Sequence, residues 1–326
     1  MSAAGGQRFD LSKPRESQET YWGRVKHFFD VTDPRTILAT DKELDAAHDL
    51  VMAYKAGKEP PGVTEDEIWA AKKLYDSAFH PQTGEKNFFL GRMSCQVPGN
   101  MLITGGMMAF YKSNPAQLFF QWANQTFNAV VNYTNRNASS HITNEMLATA
   151  YVSATGASCV VAVGLNKMIA KSPALSNGIV GRFVPLIAVA SANCINIPLM
   201  RQVEMKEGIN VHTKEGQIIG QSKEAAVAAV CQVIPSRILM ACPSMGLTPV
   251  VMNFLDARGV LAAFPWLNIP ATLTVTGLAL AFSTPLCCAI FPQEAAMDVS
   301  RLDPELQAKV KELCPTAKTL YYNKGL

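Results

Sequence analysis

Six windows without a single charged side chain, residues 93–111, 113–135, 146–166, 183–200, 238–255 and 259–293, dominate the middle of this chain. Several reach the roughly 20 residues that a helix needs to cross about 30 Å of hydrocarbon. One such helix fits the core of a large soluble protein, whereas five or more in one chain point to a bilayer. Charge is distributed to match, with 28 charged residues in 1–95, 17 in the much longer stretch 96–291 and 10 in 292–326. The expected class is therefore all-α, a polytopic helical membrane protein. It divides into a polar N-terminal region (1–95), a transmembrane helical domain (96–291) and a polar C-terminal tail (292–326). About five transmembrane helices are expected, near 100–118, 147–166, 179–200, 226–247 and 267–289, with 117–135 as an alternative sixth.

The net charge of +3 conceals a slightly acidic N-terminal region, 13 basic against 15 acidic residues, and a basic middle, 11 against 6. No run of clustered Lys and Arg appears, which excludes a nucleic-acid footprint. The N-terminus MSAAGGQRFDLSKPRE lacks the apolar core of a secretory signal, and its acidic residues argue against a cleaved mitochondrial presequence. Any targeting signal is expected to be internal. The eight cysteines lie mostly in apolar windows without CxxC spacing, which reads as buried thiols; no disulfide framework, metal site or cofactor is expected. Sequons at Asn124, Asn132 and Asn137 carry little weight, because two of them lie in an apolar window.

The polar preface carries explicit helix signals. Thr40-Asp-Lys-Glu43 is a capping box, followed by Leu44, Ala47, Val51 and Tyr54 at helical spacing and by Gly57 as a stop. Thr64-Glu-Asp-Glu67 repeats the device ahead of Ile68, Ala71, Tyr75 and Ala78, and Pro81 ends it. Two amphipathic helices joined by EPPG follow, each needing a partner for its apolar face, the other helix or the bilayer surface. Farther on, Ala150, Ala154, Ser158 and Ala162 form a small-residue face suited to close helix packing in lipid.

Three polar groups stand out. In QWANQTFNAVVNYTN, Asn124, Asn128, Asn132 and Asn135 share one helical face, with Gln121 and Gln125 close to it. Carboxamides offer donors and acceptors without charge, which suits a zwitterionic or hydroxylated solute. On spacing alone, hydrogen bonding between helices is the stronger reading. Asn193, Asn196 and Arg201 form a second group beside Pro198, and Arg201 fits an ordinary interfacial arginine. Arg237 lies between Pro235 and Pro243 in what reads as an interrupted span; at such depth an arginine needs a partner or a wet cavity. His80, Thr83 and Glu85 in HPQTGE form a turn, a gating or structural loop rather than a catalytic one. No GxSxG, P-loop, HExxH, EF-hand or dinucleotide motif occurs, so no enzyme is expected.

The segments HFFDVTDPRT, LYDSAFHPQTGEK, FNAVVNYTNRN, NCINIPLMRQ, SRILMACP, TPLCCAIFPQ and YYNKGL together resemble the sideroflexins, from about residue 9 to Leu326. The resemblance implies a multipass protein of the mitochondrial inner membrane, imported without a cleaved presequence. It implies transport of small neutral amino acids, serine first, supplying one-carbon metabolism. The alternative is a scaffold that transports nothing itself and supports iron or haem homeostasis or complex assembly. Two departures stand out: Gln82 replaces an aspartate of the usual HPDTGE, and Pro235 replaces a β-branched residue before Ser236-Arg237. The expected substrate site combines Arg237, facing a carboxylate, with amides of Asn124, Asn128, Asn132, Asn193 and Asn196.

Overall fold

The computed structural model describes residues 9–11, 14–80, 83–134, 143–171, 183–292, 294–315 and 317–324. After α1 (Tyr21–Val31), the chain forms the two foreseen helices, α2 (Asp41–Ala56) and α3 (Glu65–Ala78). Both capping boxes close reciprocally, and Gly57 ends α2 in the left-handed region at φ 71°. The two apolar faces meet each other, burying Leu44, Ala47, Val51, Tyr54, Ile68, Ala71 and Tyr75 in one cluster. Stripe, cap and stop are local properties, which is why spacing alone located both helices, whereas their pairing with each other rather than with a bilayer surface is tertiary.

Among the described residues, six helices build the apolar bundle: α4 (Gln96–Ala109), α5 (Asn114–Thr134), α6 (Asn144–Ala170), α7 (Val184–Met200), α8 (Lys223–Ala257) and α9 (Asn268–Cys288). Three segments among the described residues are long and apolar enough to cross a membrane, Glu145–Met168, Lys223–Ala257 and Pro265–Cys288, and Val184–Met200 is a shorter apolar helix. These helices identify a multipass membrane architecture. The expected span at 100–118 does not exist as one helix. The chain turns at Phe110–Ser113, and α4 and α5 pack as an antiparallel hairpin, with Asn114-Pro115 opening the second helix. Packing runs α4 to α5, α5 to α6, α6 to α7, α7 to α8, α8 to α9 and α9 back to α4. Ala150, Ala154, Ser158 and Ala162 are all buried, and α6 packs closely on α7.

Two further expectations need correction. First, α8 runs unbroken for 35 residues through Pro235, Pro243 and Pro249. Hydroxyls beside the prolines return to the helix backbone: Ser236 Oγ donates to Val233 O, Ser244 Oγ to Ala241 O and Thr248 Oγ1 to Ser244 O. Second, the chain is mostly helical, as expected, but it also carries a small sheet. Strands β1 (Ile209–His212), β2 (Ile218–Ser222), β3 (Glu294–Asp298) and β4 (Thr319–Asn323) make an antiparallel sheet in the order β2-β1-β4-β3. The tail is therefore structured. Helix α10 (Pro304–Leu313) packs Leu306 and Val310 with Val211, Leu320 and Tyr322 of the sheet and with Ala225 and Ala229 at the foot of α8.

Candidate functional site

Depth in the bundle follows from side-chain contacts. Thr248 Oγ1 lies 3.1 Å from Thr276 Oγ1, and Ser283 Oγ donates to Met240 O at 3.2 Å, which fixes the antiparallel register of α8 and α9. That register sets Arg237 beside the last turn of α9. The foot of α8 is embedded in the sheet unit, where Gln232 Nε2 donates to Tyr322 Oη at 3.0 Å. At about 1.5 Å per residue, a 35-residue helix outruns a 30 Å hydrocarbon layer by some 20 Å. Arg237 thus stands at a boundary of the apolar bundle, not at its midplane.

The amide stripe lies elsewhere. Gln117 Nε2 donates to Met107 O at 2.9 Å, and a Cβ at Gly99 would meet the Phe127 ring, which sets α5 against α4. Gly105 faces Leu273 and Gly277 faces Met101, which sets α4 against α9. Carried across these pairings, Asn124 falls level with Gly246–Leu247 of α8, about 15 Å along the axis from Arg237. Laterally, α5 packs chiefly on α4 and α6, whereas α8 packs on α9 and α7. Asn124 and Arg237 therefore do not enclose one serine-sized solute, and the expected pairing is corrected on that ground. Asn128 is half-buried, and the side chain of Asn132 lies outside the described residues, as does all of Asn135. On α7, Asn196 is buried and Asn193 half-buried; both lie in the half of that helix near the Arg237 boundary.

What the stripe does hold is a set of unmet hydrogen bonds. Gln117, Gln121, Asn124 and Gln125 are all at most 5% exposed. Gln117 Oε1, Gln121 Oε1, Asn124 Nδ2 and Gln125 Nε2 have no partner among the described residues. The stripe reaches a neighbouring helix through Gln117 and Gln121, both at Met107, where Gln121 Nε2 meets the thioether at 3.7 Å. An orphaned buried polar atom costs about 1–3 kcal/mol, so amides that merely held helices together would be expected to bond one another. Two carbonyl oxygens and two amide NH2 groups instead leave acceptors and donors free in a core otherwise filled by Met107, Val189 and Met245. Gln117, Gln121 and Gln125 form an i, i+4 series in the sequence, but the burial that distinguishes Gln117 comes from its packing against Met107 of α4.

Near the end of the bundle opposite Arg237, a cavity of about 350 Å³ is lined by Phe110, Tyr111, Lys112, Thr248, Asn268 and Thr272. The cavity, lined by Met108 and Thr248, overlaps the amides in depth, since Gln117 bonds Met107, and the Arg237 boundary lies beyond both. His80, Thr83 and Glu85 do come together, as a turn away from the bundle core. His80 N donates to Glu85 O at 2.8 Å, Thr83 N to His80 Nδ1 at 3.2 Å and Glu85 N to Thr83 Oγ1 at 3.3 Å, with Gly84 at φ 71°. Main-chain bonds absorb these groups, and Gln82 lies outside the described residues.

A family model described as sideroflexins matches residues 10–326. Sideroflexin-1 of Ovis aries and of Homo sapiens are each 52% identical over 326 residues, covering 100% of both chains. Sideroflexin-3 of Rattus norvegicus is 50% identical over 317 residues, 97% of this chain and 98% of that one. No solved structure matches the chain.

Proposed function

The chain belongs to the sideroflexin family, and from that premise we propose that it carries serine and related small neutral amino acids across the mitochondrial inner membrane, supplying one-carbon metabolism. The observation that supports this reading is the set of four unmet amide atoms buried on α5. A zwitterion needs acceptors for its ammonium and donors for its carboxylate. Gln117 and Gln121 offer the former, and Asn124 and Gln125 the latter. Having no formal charge, these amides favour a solute with no net charge, because a charged side chain would enter the core without a counter-ion. The cavity bounded by Thr248, Asn268 and Thr272 is then an entry chamber, and motion of helices about the α5 stripe opens the site to either side.

The test is uptake of labelled serine into liposomes holding the purified protein, competed by a panel of amino acids. Asn124→Ala and Gln125→Ala are expected to cut uptake about tenfold, the equivalent of roughly 1.4 kcal/mol of binding. Melting temperature should hold or rise, because each variant deletes an unsatisfied amide. Normal uptake with a lowered melting temperature would return the stripe to a structural role. Absence of uptake by folded wild type would favour the scaffold reading.

A further inference from the structure

Beside Arg237 the chain gathers positive charge faster than it balances it. Lys324, just beyond β4, is 4% exposed; its ammonium lies 5.7 Å from the centre of the Phe291 ring. Arg24 of α1 is 8% exposed and donates to main-chain carbonyls, Nε to Ala289 O at 2.9 Å and Nη1 to Gln18 O at 3.0 Å and Glu19 O at 3.1 Å. Arg201 donates to Lys324 O at 2.6 Å, and its guanidinium is already engaged by the Glu204 carboxylate. Arg237 has no hydrogen bond or ion pair among the described residues. Burial, and then the fields of Arg237, Arg24 and Arg201, push the Lys324 ammonium below its ordinary range. Burying an ion costs several kcal/mol unless an opposite charge offsets it. Among the described residues, the one carboxylate bonded to any of these four cations is that of Glu204, and it is taken by Arg201.

Depth narrows the class of the missing anion. The cluster lies at the last turn of α9, where α1 is fastened by Tyr21 Oη to Leu286 O at 3.2 Å and by Phe29 against Phe282. Along α1, Trp22 is 67% exposed and Tyr21 36%, an aromatic pair of the kind that marks the headgroup level of a bilayer. Basic pockets between helices at that level receive phosphate headgroups. We propose that Arg237, Lys324 and Arg24 form a binding site for a phosphate oxyanion, carried by the headgroup of an anionic phospholipid or by free phosphate reaching the same depth.

The experiment reads thermal melting of the delipidated protein in neutral detergent, with phosphatidylglycerol, phosphatidylcholine of the same acyl chains, or inorganic phosphate at matched ionic strength. Phosphatidylglycerol is expected to raise the melting temperature by several degrees and phosphatidylcholine not to. Lys324→Met and Arg237→Met should each remove most of that increment while raising the melting temperature of the stripped protein, since an unbalanced charge is gone. The exposed Lys318→Gln should keep the full increment. Lys324→Gln and Arg237→Gln repeat the measurement should a methionine variant fail to fold. An equal, variant-sensitive increment from inorganic phosphate assigns the site to the free anion; an increment from phosphatidylglycerol alone assigns it to lipid. The proposal is overturned if neither probe stabilises, if the variants keep the increment, or if they lose it while destabilising the stripped protein. Failure of serine uptake would leave this melting result intact, so the two readings fail separately.

Discussion

Asp33 holds the corner between α1 and α2 from several directions. Its carboxylate accepts from Arg35 N at 3.0 Å, from Arg35 Nη2 at 2.7 Å and from Lys73 of α3 at 2.8 Å. Arg35 first, and Lys73 after it, hold this carboxyl well below the usual carboxylate range. Close by, burial pushes the His27 imidazole down against the opposing pull of Asp76 and Asp30. Both shifts have the same sign for stability: the unfolded chain takes up a proton that the folded chain resists, so stability is lost as pH falls. The His27 contribution should fade below about pH 6.5 and the Asp33 contribution below about pH 4, with little change above pH 7. Melting curves followed by tryptophan fluorescence across pH 3–8 check this. His27→Gln should flatten the upper step; Asp33→Asn should flatten the lower one and cost about 2 kcal/mol at neutral pH. Of this corner the sequence showed α2 and α3 through their capping boxes but not α1; the meeting of Asp33 with Lys73, 40 residues apart, is tertiary.

Between elements, glycine decides how near α4 and α9 come. A Cβ on Gly105 would stand 2.6 Å from Leu273 Cδ2, and one on Gly277 2.5 Å from Met101 Sδ. Gly277→Ala should cost about 1–3 kcal/mol because the Met101 thioether can swing aside. Gly277→Leu should part the helices and abolish the cooperative melt in detergent. The small-residue face of α6 was legible because its spacing is local, and so were the apolar runs of α6, α8 and α9. The α4–α5 hairpin was not, since two apolar windows divided by the single charge of Lys112 read as one span across the turn that Lys112, Ser113 and Pro115 make. The sheet was least legible of all. Its strands have four or five residues, and Val211 finds Tyr322 only across more than a hundred residues of intervening bundle. Removing residues 319–324 should leave β3 without its neighbour and expose β1, a change that limited proteolysis at 209–222 and 294–298 would register.

For the molecule as a whole, the decisive quantity is where the bilayer begins along α8. The candidate amides were visible as a stripe, but their depth relative to Arg237 was not, because it depends on the register of α5 on α4, α4 on α9 and α9 on α8. With the foot of α8 held in the sheet unit, the boundary falls between Gln232, bonded to Tyr322, and Met240, which receives Ser283. Cysteines of this chain report on that placement. Cys231 is exposed one residue before Gln232, Cys314 follows α10 in the sheet unit, and Cys194 is exposed on the apolar flank of α7. A membrane-impermeant maleimide should therefore label Cys231 and Cys314 from the same side of sealed vesicles, while Cys194 reacts only after detergent is added. Labelling of Cys231 only in detergent would push the boundary below Gln232 and sink Arg237 into hydrocarbon, where a phosphate could not reach it. Labelling of Cys231 from the aqueous phase leaves Arg237 about two turns farther in, within reach of a headgroup and still some 15 Å short of the amides.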